Sequence, residues 1–134
     1  MFPQHTNILV VDDSMNIRNI ICENLRALGY RNIITASDSN EGYLKLNQAS
    51  QDKVPIGLIL SDLNMPGPSG LEFLKQIRSI DKFSKLPFVL VTTESEKGAV
   101  IEAAVAGVSS YIVKPFNIET LTLRLKEAWK KHGT

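Results

Sequence analysis

Five short, largely apolar segments constrain the fold of this sequence more than any other feature. They are Ile8–Val11, Asn32–Thr35, Ile56–Leu60, Phe88–Val91 and Tyr111–Val113. Apolar runs without polar alternation are typical of strands that are buried on both faces, as in a parallel sheet. The sequence therefore predicts a sheet that is covered on both sides.

Helical patterns separate these segments. The first pattern ends at Gly29, Glu41–Gln48 forms a shorter helix, Gly107 closes the fourth helix, and Asn117 is a good N-cap for the last one. A strand followed by a helix, repeated five times, favours an α/β fold with a parallel sheet and right-handed crossovers. Five strands are too few for an eight-stranded barrel.

Length and charge set further expectations. The 134 residues fit one domain over 1–134, and a formal charge of +1 gives no general attraction to nucleic acid or to an anionic membrane. No apolar run approaches about 18 residues, so we expect no membrane insertion. The single Cys22 is expected to be a small buried residue in a reducing compartment, and we expect a cytoplasmic protein.

Charged and hydroxyl residues stand at four of the five strand ends. Asp12 and Asp13 end the first segment, Asp62 the third, Thr92 the fourth and Lys114 the fifth. Ligands of open parallel sheets bind beyond the carboxyl ends of the strands, so these side chains should meet. Two carboxylates about 4 Å apart repel by about 4 kcal/mol at an effective dielectric near 20, and a hard divalent cation such as Mg²⁺ would offset this repulsion.

Asp62 is the best candidate nucleophile among them. A carboxylate beside a metal ion, a lysine and a hydroxyl can attack phosphorus, because the cations neutralise charge on the transferring phosphoryl oxygens. Asp12 and Asp13 are the candidate metal-holding pair. A single Asp after a strand is usually a turn former or a helix cap, so the prediction depends on the conjunction of four strand ends.

Four motifs extend this pattern to a known family. They are Leu9–Ser14, Ser61–Gly70, Val91–Glu94 and Tyr111–Phe116. With them the chain resembles the receiver domain of two-component response regulators, and most of all the stand-alone, CheY-like receivers, over roughly residues 7–131. The resemblance implies a flavodoxin-like, doubly wound (β/α)5 sheet with strand order 2-1-3-4-5.

The resemblance also implies a chemistry. Asp62 would accept a phosphoryl group from the phosphohistidine of a sensor histidine kinase or a phosphotransfer protein. Asp13, Asp62 and the backbone carbonyl of Asn64 would bind Mg²⁺ (or Mn²⁺), with Asp12 acting through water. Such a protein is a signalling phosphoacceptor with self-phosphorylation and self-dephosphorylation activity, not a conventional enzyme.

Further site roles follow from the resemblance. Thr92 and Lys114 would contact phosphoryl oxygens, Tyr111 would be an aromatic switch, and Lys114–Pro115 would be a cis peptide bond. Asn64 and Glu94 would flank the path of attacking water and give rapid self-dephosphorylation.

Output is expected through contact with another protein. The implied surface is the fourth helix, the fifth strand and the fifth helix, where Leu123 should point outward. Lys126, Lys130 and Lys131 make the last helix end basic, which would suit an acidic partner. We expect a monomer, with dimerisation on phosphorylation left open, in a chemotaxis-like pathway or as a phosphorelay shuttle.

Some positions depart from the family pattern and keep alternatives open. Thr93, Leu63 and Ser69 replace residues that are more usual in chemotaxis receivers, and the bulk of Thr93 would narrow access to Asp62. One alternative is a pseudo-receiver that only binds partners. Another is a small aspartyl-phosphate hydrolase, although Asn64 stands where such enzymes carry an acid/base Asp. A flavin-binding protein would need a phosphate loop after the first strand, and this sequence has none.

Overall fold

The computed structural model describes residues 1–93 and 96–133. Within these residues the chain alternates strands and helices. The strands are β1 (Ile8–Val11), β2 (Ile33–Ala36), β3 (Leu58–Asp62), β4 (Phe88–Thr93) and β5 (Ser110–Lys114). The helices are α1 (Met15–Ala27), α2 (Ser39–Gln51), α3 (Gly70–Arg78), α4 (Lys97–Ala106) and α5 (Ile118–His132), with a short 3₁₀ turn at Asp81–Phe83.

The strands form one parallel sheet in the order β2-β1-β3-β4-β5. The register aligns Val11 with Ser61, Asp62 with Val91, and Thr93 with Lys114. The carboxyl ends of β1, β3, β4 and β5 therefore lie at the same edge of the sheet. This topology confirms the predicted doubly wound α/β fold and its strand order.

Alternate residues of each strand face opposite layers of helices. In β1, Leu9 and Val11 pack in a core with Phe73 of α3, whereas Ile8 and Val10 pack with residues of α1 and α5. All four strand residues are fully buried. The sheet is thus covered on both faces, which explains its continuous apolar runs.

The bounds of α2 differ from the sequence prediction, and three strands reach the polar residues that were predicted at their ends. Helix α2 is longer than Glu41–Gln48 because the side chain of Asp38 accepts a hydrogen bond from the Glu41 N–H and caps a helix that begins at Ser39. Strands β3, β4 and β5 continue into polar residues, since main-chain pairing does not require apolar side chains. The candidate site residues Asp62, Thr92 and Lys114 are consequently held by the sheet.

The helix ends predicted at Gly29, Gly107 and Asn117 are confirmed. Gly29 and Gly107 adopt φ values of 99° and 91°, the left-handed conformation that suits glycine after a helix. Asn117 caps α5, and Ser69 forms a capping box with Glu72 at the start of α3. In the described ranges, none of the helices has the length and apolar character needed to cross a bilayer.

Candidate functional site

Asp12 and Asp13 follow β1 at the carboxyl edge of the sheet. Asp12 is fully buried and Asp13 is exposed. The Ser14 N–H donates to Asp12 Oδ1 at 2.9 Å, and Arg18 Nη1 donates to the Asp12 backbone oxygen at 2.6 Å. Helix α1, which Ser14 caps, therefore fixes the orientation of the buried carboxylate.

Asp62 is the last residue of β3, and its two carboxylate oxygens differ in their contacts. Oδ1 accepts the Leu63 N–H at 2.9 Å and lies 3.0 Å from Lys114 Nζ. The other oxygen, Oδ2, accepts no hydrogen bond from the residues that the structure describes. Asp62 is 7 % exposed, and its contacts with Leu63 and Lys114 orient the carboxylate through Oδ1.

Lys114, the last residue of β5, is the cation that joins the carboxylates. Its Nζ lies 3.4 Å from Asp12 Oδ2 as well as 3.0 Å from Asp62 Oδ1. Burial raises the pKa of Asp62 above its ordinary value, and the charge of Asp12 adds to this effect. The hydrogen bond and charge of Lys114 and the Leu63 N–H act in the opposite direction.

The three carboxylates form a cluster that fits a divalent cation. Asp12, Asp13 and Asp62 each offer an oxygen, and these oxygens all lie within 4.8 Å of one another. Hard carboxylate oxygens are the ligands that Mg²⁺ prefers in proteins, and a divalent ion would offset the repulsion among them. The predicted metal-holding residues are therefore brought together.

Two of the other predicted site residues, Thr92 and Asn64, lie in β4 and in the loop after β3. Thr92 is buried in β4, directly after Val91, which pairs with Asp62, and its hydroxyl lies 3.4 Å from the Thr93 carbonyl oxygen. The exposed Asn64 donates from Nδ2 to Glu96 Oε1 at 3.3 Å. Glu94 lies outside the described residues.

Tyr111 and the peptide bond after Lys114 complete the predicted set. Tyr111 lies in β5, half-buried, and pairs in register with Leu90. The Lys114–Pro115 peptide bond is cis, as the resemblance implies.

Three contacts at the site have no counterpart in the sequence prediction. The backbone N–H groups of Ser14 and Leu63 hold the carboxylates of Asp12 and Asp62, and the side chain of Glu96 holds Asn64. Ser14 carries a sequence signal, since a serine before a helical pattern is an N-cap candidate. The main-chain donor of Leu63 leaves no signal in side-chain identity.

Fold and site together define a class of protein. It is a doubly wound α/β protein with an acidic cluster, suited to a divalent cation, and a lysine at the switch point of its sheet. The family model of the response regulator receiver domain matches residues 8–126, and the chain belongs to this family.

Individual relatives specify the type of receiver. Over 119 residues, which are 89% of this chain and 93% of the relative, it is 40% identical to chemotaxis protein CheY1 of Helicobacter pylori. It is 35% identical over 124 residues to chemotaxis protein CheY of Pseudomonas aeruginosa, covering 92% of this chain and 96% of that one. The solved chemotaxis response regulator CheY4 of Vibrio cholerae superposes with a TM-score of 0.79 at 34% identity, covering 92% of this chain and 98% of that one.

The chain is therefore a CheY-like response regulator receiver of two-component signalling. Receivers are signalling proteins that work with a histidine kinase or a phosphotransfer protein. They typically bind Mg²⁺, which agrees with the donor set of the acidic cluster.

Proposed function

We propose that this single receiver domain, residues 1–134, accepts a phosphoryl group on Asp62 from the phosphohistidine of a sensor kinase or a phosphotransfer protein. The supporting observation is the asymmetry of the Asp62 carboxylate, whose Oδ1 is held by Lys114 and Leu63 while Oδ2 accepts no hydrogen bond from the described residues. An oriented carboxylate with one free oxygen at a cationic site is a suitable nucleophile.

The proposed transfer forms one bond and breaks one. Asp62 Oδ2 attacks phosphorus, and the bond from phosphorus to the imidazole nitrogen breaks, leaving its electron pair on that nitrogen. Lys114 lies at 3.0 Å from Asp62 and would pair with a phosphoryl oxygen, and the Thr92 hydroxyl would donate to another. Mg²⁺, held by Asp13, Asp62 and the Asn64 carbonyl with Asp12 in support, would supply neutralisation of the phosphoryl charge.

Intact-mass spectrometry after incubation with acetyl phosphate tests this proposal. We expect a gain of one phosphoryl group that requires Mg²⁺ and is absent in Asp62→Asn. Asp52→Asn is the matched control, because it makes the same chemical change at an exposed position at the end of α2. Uptake by Asp62→Asn equal to that of the control would contradict Asp62 as the acceptor.

Failure of the wild-type protein to take up a phosphoryl group would have a separate meaning. A folded wild-type protein that gains no phosphoryl group from acetyl phosphate or from a histidine kinase with Mg²⁺ would favour the pseudo-receiver alternative. Circular dichroism of the same sample establishes that the protein is folded.

The proposal includes rapid self-dephosphorylation, governed by Asn64 and Glu94. Asn64 lies two residues after the acceptor, and its side chain reaches Glu96 at the start of α4. We expect the phosphoryl group to decay within minutes in Mg²⁺, and Asn64→Arg to slow the decay by obstructing attacking water. A wild-type phosphoprotein that persists for hours would contradict this part of the proposal.

Output is proposed to occur through the surface formed by α4, β5 and α5. Three large apolar side chains are exposed on the two helices: Ile101 at 68% and Val105 at 86% on α4, and Leu123 at 55% on α5. Because the relatives named above are chemotaxis proteins, we place this output in a chemotaxis-like pathway; transfer of the phosphoryl group onward to a histidine would instead identify a phosphorelay shuttle. The free Cys22 thiol suits a reducing, cytoplasmic location.

Hydrogen exchange with and without beryllofluoride, a phosphoryl mimic, tests the location of the output surface. Amide exchange should change in α4 and β5 and remain constant in α2, which packs against β1 and β2. A change confined to the loops around Asp62 would contradict this output surface.

A further inference from the structure

An arginine of α5 covers the ring of Tyr111. The Arg124 guanidinium carbon lies 4.9 Å from the centroid of the Tyr111 ring, within the range of a cation–π interaction. The Arg124 side chain is only 27% exposed, so the contact is partly shielded from water. Tyr111 is thereby attached to α5 as well as to its own strand.

A second contact fixes the arginine relative to β5. Glu127, one turn further along α5, accepts hydrogen bonds from Arg124 Nη1 at 3.2 and 3.1 Å. Glu127 Oε2 also accepts the hydroxyl of Ser110 at 2.9 Å. Ser110 is the residue before Tyr111 in β5. The hydrogen bonds of Glu127 to Ser110 and Arg124, together with the contact between Arg124 and the ring, therefore connect α5 to two neighbouring residues of β5.

The Arg124 guanidinium does not satisfy all of its hydrogen-bond donors in this position. Its Nε is buried and has no hydrogen-bond partner among the described residues. A buried donor without a partner is unfavourable, so the ring contact and Glu127 are the interactions that hold Arg124 in this position.

A cavity borders the Tyr111 ring on the side of α4, away from the helix that carries Arg124. Its volume is about 360 Å³, and its lining residues are Thr93, Lys97, Val100, Ile101, Tyr111 and Val113. A ring that turned away from Arg124 would move into this cavity. Thr93 follows Thr92, so the cavity extends to the strand end that carries the proposed phosphoryl contact.

We propose that Arg124, anchored through Glu127 to Ser110, is a positioning residue that holds the Tyr111 ring against α5 and so disfavours the phosphorylated state. The inference rests on the proposed function and on the expected role of Tyr111 as an aromatic switch whose ring moves when Asp62 is phosphorylated. When a protein has two conformers, an interaction that stabilises one of them lowers the apparent affinity for a ligand that binds the other. A partly exposed cation–π contact corresponds to a population change of about two- to fivefold.

The test compares initial rates of phosphoryl uptake from acetyl phosphate in Mg²⁺. Arg124→Gln removes the cation, Arg124→Lys retains it, and Lys126→Gln removes an equal charge from an exposed neighbour on α5. Each variant is also made in a Tyr111→Ala background, so that a double-mutant cycle isolates the effect that passes through the ring.

We expect Arg124→Gln to raise the rate about two- to fivefold, within the range of a single cation–π contact. Arg124→Lys should stay near the wild-type rate, and Lys126→Gln should leave it unchanged. In the Tyr111→Ala background, Arg124→Gln should have no effect. Glu127→Gln is a second route to the same result, because it releases the arginine without deleting it.

Two other outcomes overturn the inference, and they differ from failure of the proposed function. An Arg124→Gln effect of equal size in both backgrounds would show that Arg124 does not act through Tyr111. Wild-type rates in Arg124→Gln and Glu127→Gln would show that the contact has no influence on uptake. Absence of uptake by the wild-type protein itself would instead remove the proposed function on which the inference rests.

Discussion

At the scale of single residues, Lys114 determines the charge balance of the site. Asp12 and Asp62 are both buried, and Lys114 Nζ is the cation within 3.4 Å of each of them. Burial of a carboxylate without a nearby cation is strongly unfavourable. The lysine side chain itself is partly exposed. The site therefore depends on this side chain for stability as well as for the proposed chemistry.

Replacement of Lys114 by Met should lower the free energy of unfolding by about 1–3 kcal/mol, because two buried carboxylates lose their partner. Urea unfolding without Mg²⁺ measures this loss. Lys126→Met is the matched control, since Lys126 is exposed. The double variant Lys114→Met with Asp12→Asn should regain part of the loss, and equal losses for Lys114→Met and the control would contradict the argument.

The exposed Asp13 allows metal binding to be separated from folding. Asp13→Asn removes one carboxylate of the acidic cluster without uncovering a buried charge. At about ten times its Kd, Mg²⁺ should stabilise the wild-type protein by about 1.4 kcal/mol, and Asp13→Asn should lose most of this gain. Thermal unfolding with Mg²⁺ and with EDTA measures the difference. A Mg²⁺ effect of wild-type size in Asp13→Asn would exclude Asp13 as a ligand.

At the scale of elements, the start of α3 supports the backbone of the proposed acceptor. The Gly70 N–H donates to the Leu63 carbonyl oxygen at 2.8 Å, which closes the loop between β3 and α3. A Cβ atom on Gly70 would lie 2.1 Å from the Asp62 backbone oxygen. Only glycine permits the helix to approach the end of β3 this closely.

Gly70→Ala should therefore destabilise the protein by about 1–3 kcal/mol and slow phosphoryl uptake, because the backbone of Asp62 must move. Gly98→Ala is the matched control. Gly98 lies in α4 with open space around it, so alanine should stabilise the protein there by about 0.5–1 kcal/mol. Urea unfolding and uptake from acetyl phosphate measure the two effects. Wild-type uptake in Gly70→Ala would show that this close approach does not position Asp62.

The elements were predictable from the sequence to the extent that local signals define them. Apolar runs located the strands, and Gly29, Gly107 and Asn117 marked helix ends correctly. The ends of β3 and β5 at Asp62 and Lys114 agree with the prediction, but the main-chain pairing that holds these polar residues leaves no signal in side-chain identity. The same limit applies to the Leu63 N–H, whose contact with Asp62 Oδ1 depends on backbone direction.

At the scale of the whole molecule, a second polar cluster lies at the opposite end of the sheet from Asp62. Ser109 precedes β5, and its hydroxyl oxygen accepts the Phe88 N–H at 2.9 Å at the start of β4. The same oxygen lies 2.7 Å from Nδ1 of His132, the last residue of α5. No role was predicted for His132, because this contact joins residues that are 23 positions apart in the chain.

The cluster favours a neutral histidine. Burial lowers the pKa of His132 below its ordinary value of 6.5, and the charges of Arg78, Lys131 and Lys85 lower it further. Because Ser109 Oγ already accepts the Phe88 N–H, its own hydrogen is free to be donated to His132 Nδ1. Protonation of Nδ1 would remove that acceptor.

This lowered pKa predicts how stability changes with pH. Below pH 6.5 the unfolded chain binds a proton at His132 that the folded protein resists, so stability falls as the pH drops from 6.5 through the lowered pKa. Above pH 6.5 the histidine is neutral in both states and adds no pH dependence. His132→Gln cannot titrate, so the stability difference between wild type and His132→Gln should shrink from about pH 8 to about pH 5.

Urea unfolding across this pH range measures that difference, and His5→Gln is the control because His5 is the other histidine and is exposed. A difference between wild type and His132→Gln that grows toward low pH would require a raised pKa and would reverse the argument. A constant difference would mean that His132 contributes packing alone. Because His132 is the last residue of α5, loss of its contact with Ser109 in acid should loosen the C-terminal turn of α5 first, which amide exchange of residues 128–132 would detect.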